Sequence, residues 1–194
     1  MRPCANAVLI SITVVTMWGC AKAPEEQPKP SPVERGKYLV SAMACGDCHT
    51  PRKMGKSGPE PDPALFLSGH PASLSVDPVP QFSPGPWGAA VSTSWTAWAG
   101  PWGISFAANL TSDEETGMGV WDDAMFVGAM RSGLHLGAGR PILPPMPWSS
   151  VGSLSDEDLK AILAYLKSTP PIKNEVPDAV VNESVSEASQ AAAQ

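Results

Sequence analysis

Five consecutive residues, Cys45-Gly46-Asp47-Cys48-His49, constrain this chain more than any other feature of its 194 residues. They read C-x-x-C-H, the attachment signature of a c-type haem. Each position has a chemical reason. Two thiols three positions apart at the end of a helix share one face, so both can add to the two vinyl groups of one haem as thioethers. The histidine that follows is then set beneath the iron as a proximal ligand. A bare C-x-x-C would also fit a thioredoxin-like dithiol or half a zinc site. The adjacent His argues against both, and no second Cys pair exists to complete a zinc tetrahedron. The expected cofactor is one haem c, covalently held by Cys45 and Cys48, with His49 on the iron.

The N-terminus supplies a compartment for that chemistry. Arg2 is the only charge before Lys22, and residues 7–18 form an apolar run too short for a stable membrane span. The run fits the h-region of an export signal over residues 1–19. Gly19-Cys20 stands where a lipoprotein signal is cut, which would leave Cys20 as a lipidated first residue. Two other readings are a conventional cut after Ala21-Lys22-Ala23 and an uncleaved N-terminal anchor. All three put the domain outside the cytoplasmic membrane, facing the periplasm of a bacterial envelope. Cys4 lies inside the signal. With Cys20 acylated, no cysteine remains for a structural disulfide.

The formal net charge of −6 becomes −7 once Arg2 leaves with the signal. That excludes nucleic acid as a natural partner and is compatible with a basic patch on a redox partner.

Residues 24–32, Pro-Glu-Glu-Gln-Pro-Lys-Pro-Ser-Pro, close a proline-rich tether spanning 20–32 that would lift a folded domain off a membrane. The stretch 171–194 is rich in Ser, Ala, Glu, Val and Gln, has no aromatic residue, and reads as a disordered tail. The folded unit is then 33–170. Three helices are predicted within it. The first covers about 33–44 and delivers the haem motif. The second follows Asp122 as N-cap, with Trp121 and Phe126 as a hydrophobic staple, and ends near Gly133. In the third, Ser155 caps a run whose Leu159, Ile162, Leu163 and Leu166 repeat at i, i+3, i+4, i+7 before Pro170 stops it. Between the first two, residues 55–101 are rich in Pro, Gly, Ser and Trp without a sustained period. Such a loop is long for a compact domain. It either wraps the haem, with Trp87, Trp95 and Trp98 as apolar cover, or forms a docking surface.

A six-coordinate electron carrier needs a second axial ligand. Met146 is the candidate, because Pro144-Pro145-Met146-Pro147-Trp148 stiffens the backbone around one flexible thioether. Met54 follows His49 too closely to cross to the opposite face. Met125 and Met130 lie on the second helix as core filling, while Met43 and Met118 lack a rigid setting. His135, His70 and an open iron remain as alternatives.

Taken together the chain resembles a class I c-type cytochrome. It is particularly similar to the single-haem cytochrome c domains in cytochrome subunits of bacterial membrane-bound dehydrogenases. The resemblance is carried by Gly36-Lys37-Tyr38-Leu39-Val40, the haem motif continued through Thr50-Pro51-Arg52, Asn109-Leu110-Thr111 with Glu115-Thr116-Gly117, and Trp121-Asp122-Asp123. It continues through Arg131-Ser132-Gly133, Pro145-Met146-Pro147, Leu154-Ser155-Asp156-Glu157-Asp158-Leu159 and Ala164-Tyr165-Leu166-Lys167. The family implies an all-α fold in which first and last helices cross, with Gly36 permitting close approach to Ile162 and Tyr165.

The expected function is transfer of single electrons between periplasmic or membrane redox partners, such as a dehydrogenase, oxidase or quinol-oxidising complex. The chain is not read as an enzyme in its own right. Alternatives are a fixed electron-transfer subunit of a dehydrogenase or oxidase, a haem sensor or peroxidatic enzyme with a labile Met ligand, and a thiol–disulfide oxidoreductase.

Overall fold

The computed structural model describes residues 28–80 and 86–181. The stretch expected to be an export signal lies outside the described residues with Cys20, as do residues 21–27 of the expected tether and residues 182–194.

Helix α1, Pro32–Ala42, starts where sequence chemistry demands. Ser31 and Glu34 form a capping box and Pro32 occupies the first turn. Helix α2, Cys45–His49, follows after Ala44 turns the chain through a left-handed conformation, φ 55°. Helix α3, Asp123–Ser132, is capped by the Asp122 carboxylate on the Met125 N–H and ends at Gly133, φ 72°. A one-turn helix α4, Trp148–Val151, precedes α5, Asp156–Ser168, whose Ser155 hydroxyl accepts from the Asp158 N–H. The three long helices match the predicted ones to within two residues at each end.

Helices α1 and α5 cross at Gly36. A Cβ there would collide with the Ala161 carbonyl and stand 2.8 Å from Tyr165 Cβ, so only glycine allows the backbones this close. Arg35 bridges the same pair, its Nε and Nη2 donating to Asp158 at 2.8 and 3.0 Å. Leu39 and Val40 of α1, Phe126, Ala129 and Met130 of α3, and Leu159, Ile162, Leu163 and Leu166 of α5 form one buried apolar cluster with Leu67, Met118, Trp121 and Val151. Among the described residues no helix is long and apolar enough to cross a membrane.

The helical core fits a class I cytochrome c fold, but the all-α expectation needs correcting. The long connection is organised as two small antiparallel sheets. Strands β1, Arg52–Gly55, and β2, Gly58–Pro61, pair as a hairpin. Strands β3, Ala90–Val91, β4, Ala97–Gly100, β5, Gly103–Phe106, and β6, Val180–Val181, make a second sheet in that order. Strands of two to four residues are too short to show a period-two pattern. Nor do the tryptophans of this region join the core: Trp87 is 80 % and Trp95 43 % exposed, and the cluster draws on Trp121 and Trp148 instead.

The tail also departs from expectation over 171–181. Asn174 donates from Nδ2 to the carbonyls of Ser68, 2.7 Å, and His70, 2.9 Å, and accepts from the Ala72 N–H. Ile172 accepts from the buried Asn109 side chain, 2.7 Å, and β6 pairs with β5. Polar composition conceals this because the segment is held by hydrogen bonds rather than apolar burial. Residues 182–194 lie outside the described residues.

Candidate haem site

The site is built outward from α2. Cys45 and Cys48 are both free thiols on this single turn. Cys45 is half-buried against the apolar cluster, and Cys48 is exposed. His49 is buried at the end of the turn. Its Nδ1 lies 2.8 Å from the Ala108 carbonyl oxygen. A carbonyl only accepts, so Nδ1 carries the proton and Nε2 keeps its lone pair for a metal. Burial holds the imidazole below its ordinary pKa, with the Ala108 carbonyl opposing, and so favours the neutral ligand form.

Ala108 is itself fixed by a segment threaded between it and α2. Gly69 N–H donates to the His49 carbonyl at 2.8 Å, and His70 N–H to the Ala107 carbonyl at 2.9 Å. Leu67 N–H donates to Thr50 Oγ1 at 3.0 Å, and its carbonyl accepts from the Leu110 N–H at 2.8 Å. A Cβ on Gly69, φ 77°, would press into the Ala107 and Ala108 carbonyls, so this position requires glycine. Sequence reasoning missed Ala108, whose contribution is a backbone atom. Its neighbour gave the available signal: Asn109 and Thr111 make an Asx-type turn, Thr111 N–H donating to Asn109 Oδ1 at 3.0 Å.

The thiols are electrostatically unlike a redox dithiol. Burial pushes the Cys45 thiol up, and burial followed by Asp47 pushes Cys48 up against the smaller effect of Arg52. A disulfide oxidoreductase needs the reverse, one thiol brought well down to form an attacking thiolate.

Met146 packs against the same apolar cluster as Cys45. Its segment is anchored at several points besides its prolines. Ser105 Oγ donates to the Pro144 carbonyl at 2.6 Å, Ile142 N–H to the Gly133 carbonyl at 2.7 Å, and Trp148 N–H to the Met146 carbonyl at 2.9 Å. The Trp148 ring lies against Gly133, leaving no room for a Cβ there. The rival side chains are placed differently. Met54 is 80 % exposed and Met125 38 %, while Met118 and Met130 are buried within the cluster. His70 is fully buried, not on the surface, and both its ring nitrogens are engaged: Nδ1 with Thr96 Oγ1 at 2.9 Å and Nε2 with the Leu74 carbonyl at 3.0 Å. His135 meets the edge of Trp121 at 5.1 Å between ring centroids.

Two free thiols on one turn, an imidazole with an available Nε2, a thioether on an anchored segment and a shared apolar cluster fit a haem c. Among the described residues no group of three or more His, Cys, Asp or Glu is arranged to hold a metal ion, so the donor set does not suit zinc.

The cytochrome c family profile matches residues 33–170. The chain belongs to the cytochrome c family. This cytochrome c is 29 % identical over 177 residues to one of the subunits of nicotinate dehydrogenase from Pseudomonas putida, an alignment covering 89 % of the chain and 12 % of that protein. It is 27 % identical over 161 residues to the fructose dehydrogenase cytochrome subunit of Gluconobacter japonicus, covering 83 % and 26 %. It is 30 % identical over 153 residues to the cytochrome c subunit of the quinone alcohol dehydrogenase of Gluconacetobacter polyoxogenes, covering 77 % and 26 %. The chain thus spans about a quarter or less of the length of these relatives. Two of these relatives are named as cytochrome subunits of dehydrogenases.

Proposed function

We propose that this cytochrome c holds one haem c through Cys45 and Cys48, with His49 and Met146 as axial ligands, and carries single electrons. The reading rests above all on the C-x-x-C-H turn with His49 fixed through Nδ1 and left with Nε2 free. When bound, the haem supplies a one-electron ferric/ferrous couple. The protein's part is to hold the ligand set still, and each side has its own means. Ala108 orients the imidazole, and the hydrogen bonds of the methionine segment, from Ser105 to Pro144 and from Ile142 to Gly133, restrain the thioether. The apolar cluster packs against Cys45 and Met146, and with His49 and Met146 holding the iron the bound haem would favour the ferrous state and be closed to substrate.

In the remaining organisation, residues 1–19 act as an export signal, Cys20 carries lipid, 20–32 tether the domain, and 33–170 form the electron-carrying unit facing the periplasm. A dehydrogenase, oxidase or quinol-oxidising complex is the partner class. A second reading, permanent residence in a dehydrogenase complex, is favoured by the names of the relatives. Co-purification of a dehydrogenase with the cytochrome from detergent-solubilised membranes would favour that reading over a free carrier.

The test is spectroscopic. Haem staining should survive denaturing electrophoresis, and both redox states should be low-spin. Met146→Ala should keep the haem attached but lose the weak near-infrared absorption of sulfur-ligated ferric iron, lower the reduction potential and open the iron to CO. An unchanged band and potential in Met146→Ala would assign the ligand to another methionine. For the anchor, Cys20→Ser should stop incorporation of labelled fatty acid, and persistent label would remove the lipoprotein reading.

A further inference from the structure

Beside the haem motif, β1–β2 and the turn between β3 and β4 enclose a cleft of about 430 Å³. Its lining includes none of Cys45, Cys48, His49 and Met146 and none of the helical core. Arg52, Lys53, Met54, Val91, Thr93 and Trp95 are among the residues that line it. The Arg52 guanidinium stacks on the Trp95 ring, 4.2 Å from its centroid. Its buried Nε–H finds no hydrogen-bond partner among the described residues. An unmet donor on a charged group is costly, and native structures retain one where something else supplies the acceptor. Trp95 points the same way. A bulky residue held at φ 59° is strained, yet 43 % of it remains exposed, so burial does not repay the strain. The Arg52 backbone N–H donates to the Ser94 carbonyl at 3.0 Å and locks the two hairpins around the cleft.

We propose that this cleft is a binding site for a carboxylate carried on an apolar or aromatic body. The parts divide accordingly. Arg52 offers planar donors matched to a carboxylate, held in place by the indole. Lys53 adds positive charge while tied to Asp62 at 3.2 Å, and Thr93 contributes a hydroxyl. Met54, Val91 and the free face of Trp95 accept the apolar body. With Lys53 paired to Asp62, Arg52 is the cation of the lining without an ion-pair partner among the described residues, and with no carboxylate in the lining the cleft favours an anion at Arg52. The carboxylate has two possible sources, a free organic acid or an acidic side chain on a partner surface, and the same groups would recognise either.

The experiment is a titration of isotope-labelled reduced holoprotein with benzoate, with its neutral isostere benzamide, and with the blocked peptide N-acetyl-Phe-Glu-Phe-amide. Benzoate should move the Arg52 Nε–H and Trp95 indole resonances to saturation, and benzamide should not. Tighter binding of the peptide assigns the site to a partner surface, and tighter binding of benzoate to a free acid. Arg52→Gln should weaken benzoate about tenfold, as expected for loss of a charge-assisted pair. Trp95→Gly suits the left-handed backbone, so it provides a folded variant that lacks only the ring. It should weaken benzoate as well. Equal responses to benzoate and benzamide, or unchanged benzoate affinity in Trp95→Gly, would overturn the proposal.

Discussion

The helical half of this cytochrome and its long connection are held by different kinds of force. Helices α1, α3 and α5 carry side-chain caps at their first residues and share one apolar cluster, so local signals and burial agree. Residues 52–110 instead depend on backbone bonds between distant positions: Arg52 to Ser94, Ala107 to Thr96, Leu110 to Leu67. Their buried residues include many polar ones, among them Ser68, His70, Ser94, Thr96 and Ser105. The helices would tolerate loss of a surface contact and fail when their spacing changes. The connection should fail when a single polar partner is removed.

The largest effect should come from the helix crossing. Gly36→Ala forces α1 away from the Ala161 carbonyl and should cost about 3 kcal/mol, at the upper end for overpacking. Chemical denaturation of the holoprotein measures it. A loss below about 1 kcal/mol would mean that the crossing is looser than the close approach implies.

His70 tests the other half. Its ring joins the Leu74 carbonyl to a buried chain of hydroxyls, Thr96 Oγ1 to Ser94 Oγ at 2.8 Å and on to Ser92 at 3.0 Å. His70→Ala would leave these groups unpaired and should cost about 2–3 kcal/mol. Burial lowers the His70 pKa, with the Leu74 carbonyl opposing. The unfolded chain therefore binds a proton near pH 6.5 that the folded one refuses, so this contribution is full above that pH and shrinks on acidification. The gap between wild type and His70→Ala should narrow from about pH 7.5 to about pH 5. A gap independent of pH would place the effect in packing alone.

This contrast also explains which parts of the molecule are legible in the sequence. Asp122 and Ser155 announce their helices through chemistry within four residues, and Leu159 to Leu166 repeat on one face. The C-x-x-C-H turn is equally local. Ala108 and the seating of Met146 are not, because each depends on a chain segment tens of residues away, and backbone carbonyls have no sequence signature. His70 reads as a loop residue because its partners Thr96 and Leu74 are assembled only by the fold. The tail escapes sequence reasoning for the same reason, since Asn174 is an ordinary polar residue until Ser68 and His70 present their carbonyls to it.

Asn174→Ala should have an intermediate effect, about 1–2 kcal/mol, by releasing the carbonyls of Ser68 and His70 and the Ala72 N–H. Hydrogen exchange sharpens the comparison further. Protection should fall across 68–72 and 172–181, while α1 and α5 remain protected. Uniform loss across both halves would mean that the connection and the helices unfold as one unit.

The smallest effect should come from Arg35→Met, although Arg35 joins α1 to α5 through two hydrogen bonds to Asp158. The pair is only part-buried, its side chains 42 % and 22 % exposed, and ion pairs open to solvent add little to packing already fixed at Gly36. What it should change is the acid limb. The hydrogen bond from Arg35 holds the Asp158 carboxyl below its ordinary pKa. A depressed carboxylate pKa stabilises the fold above the unfolded value, near 3.9, and loses that contribution as pH falls through the folded value. Wild type and Arg35→Met should therefore differ slightly at about pH 7, and the difference should shrink as pH falls below the unfolded value of about 3.9, or in roughly 0.5 M salt, where a solvent-accessible pair is screened to about 4 Å. A difference that survives both conditions would locate the role of Arg35 in its aliphatic stem and its contact with the Tyr38 ring, 5.5 Å from the centroid, rather than in its charge.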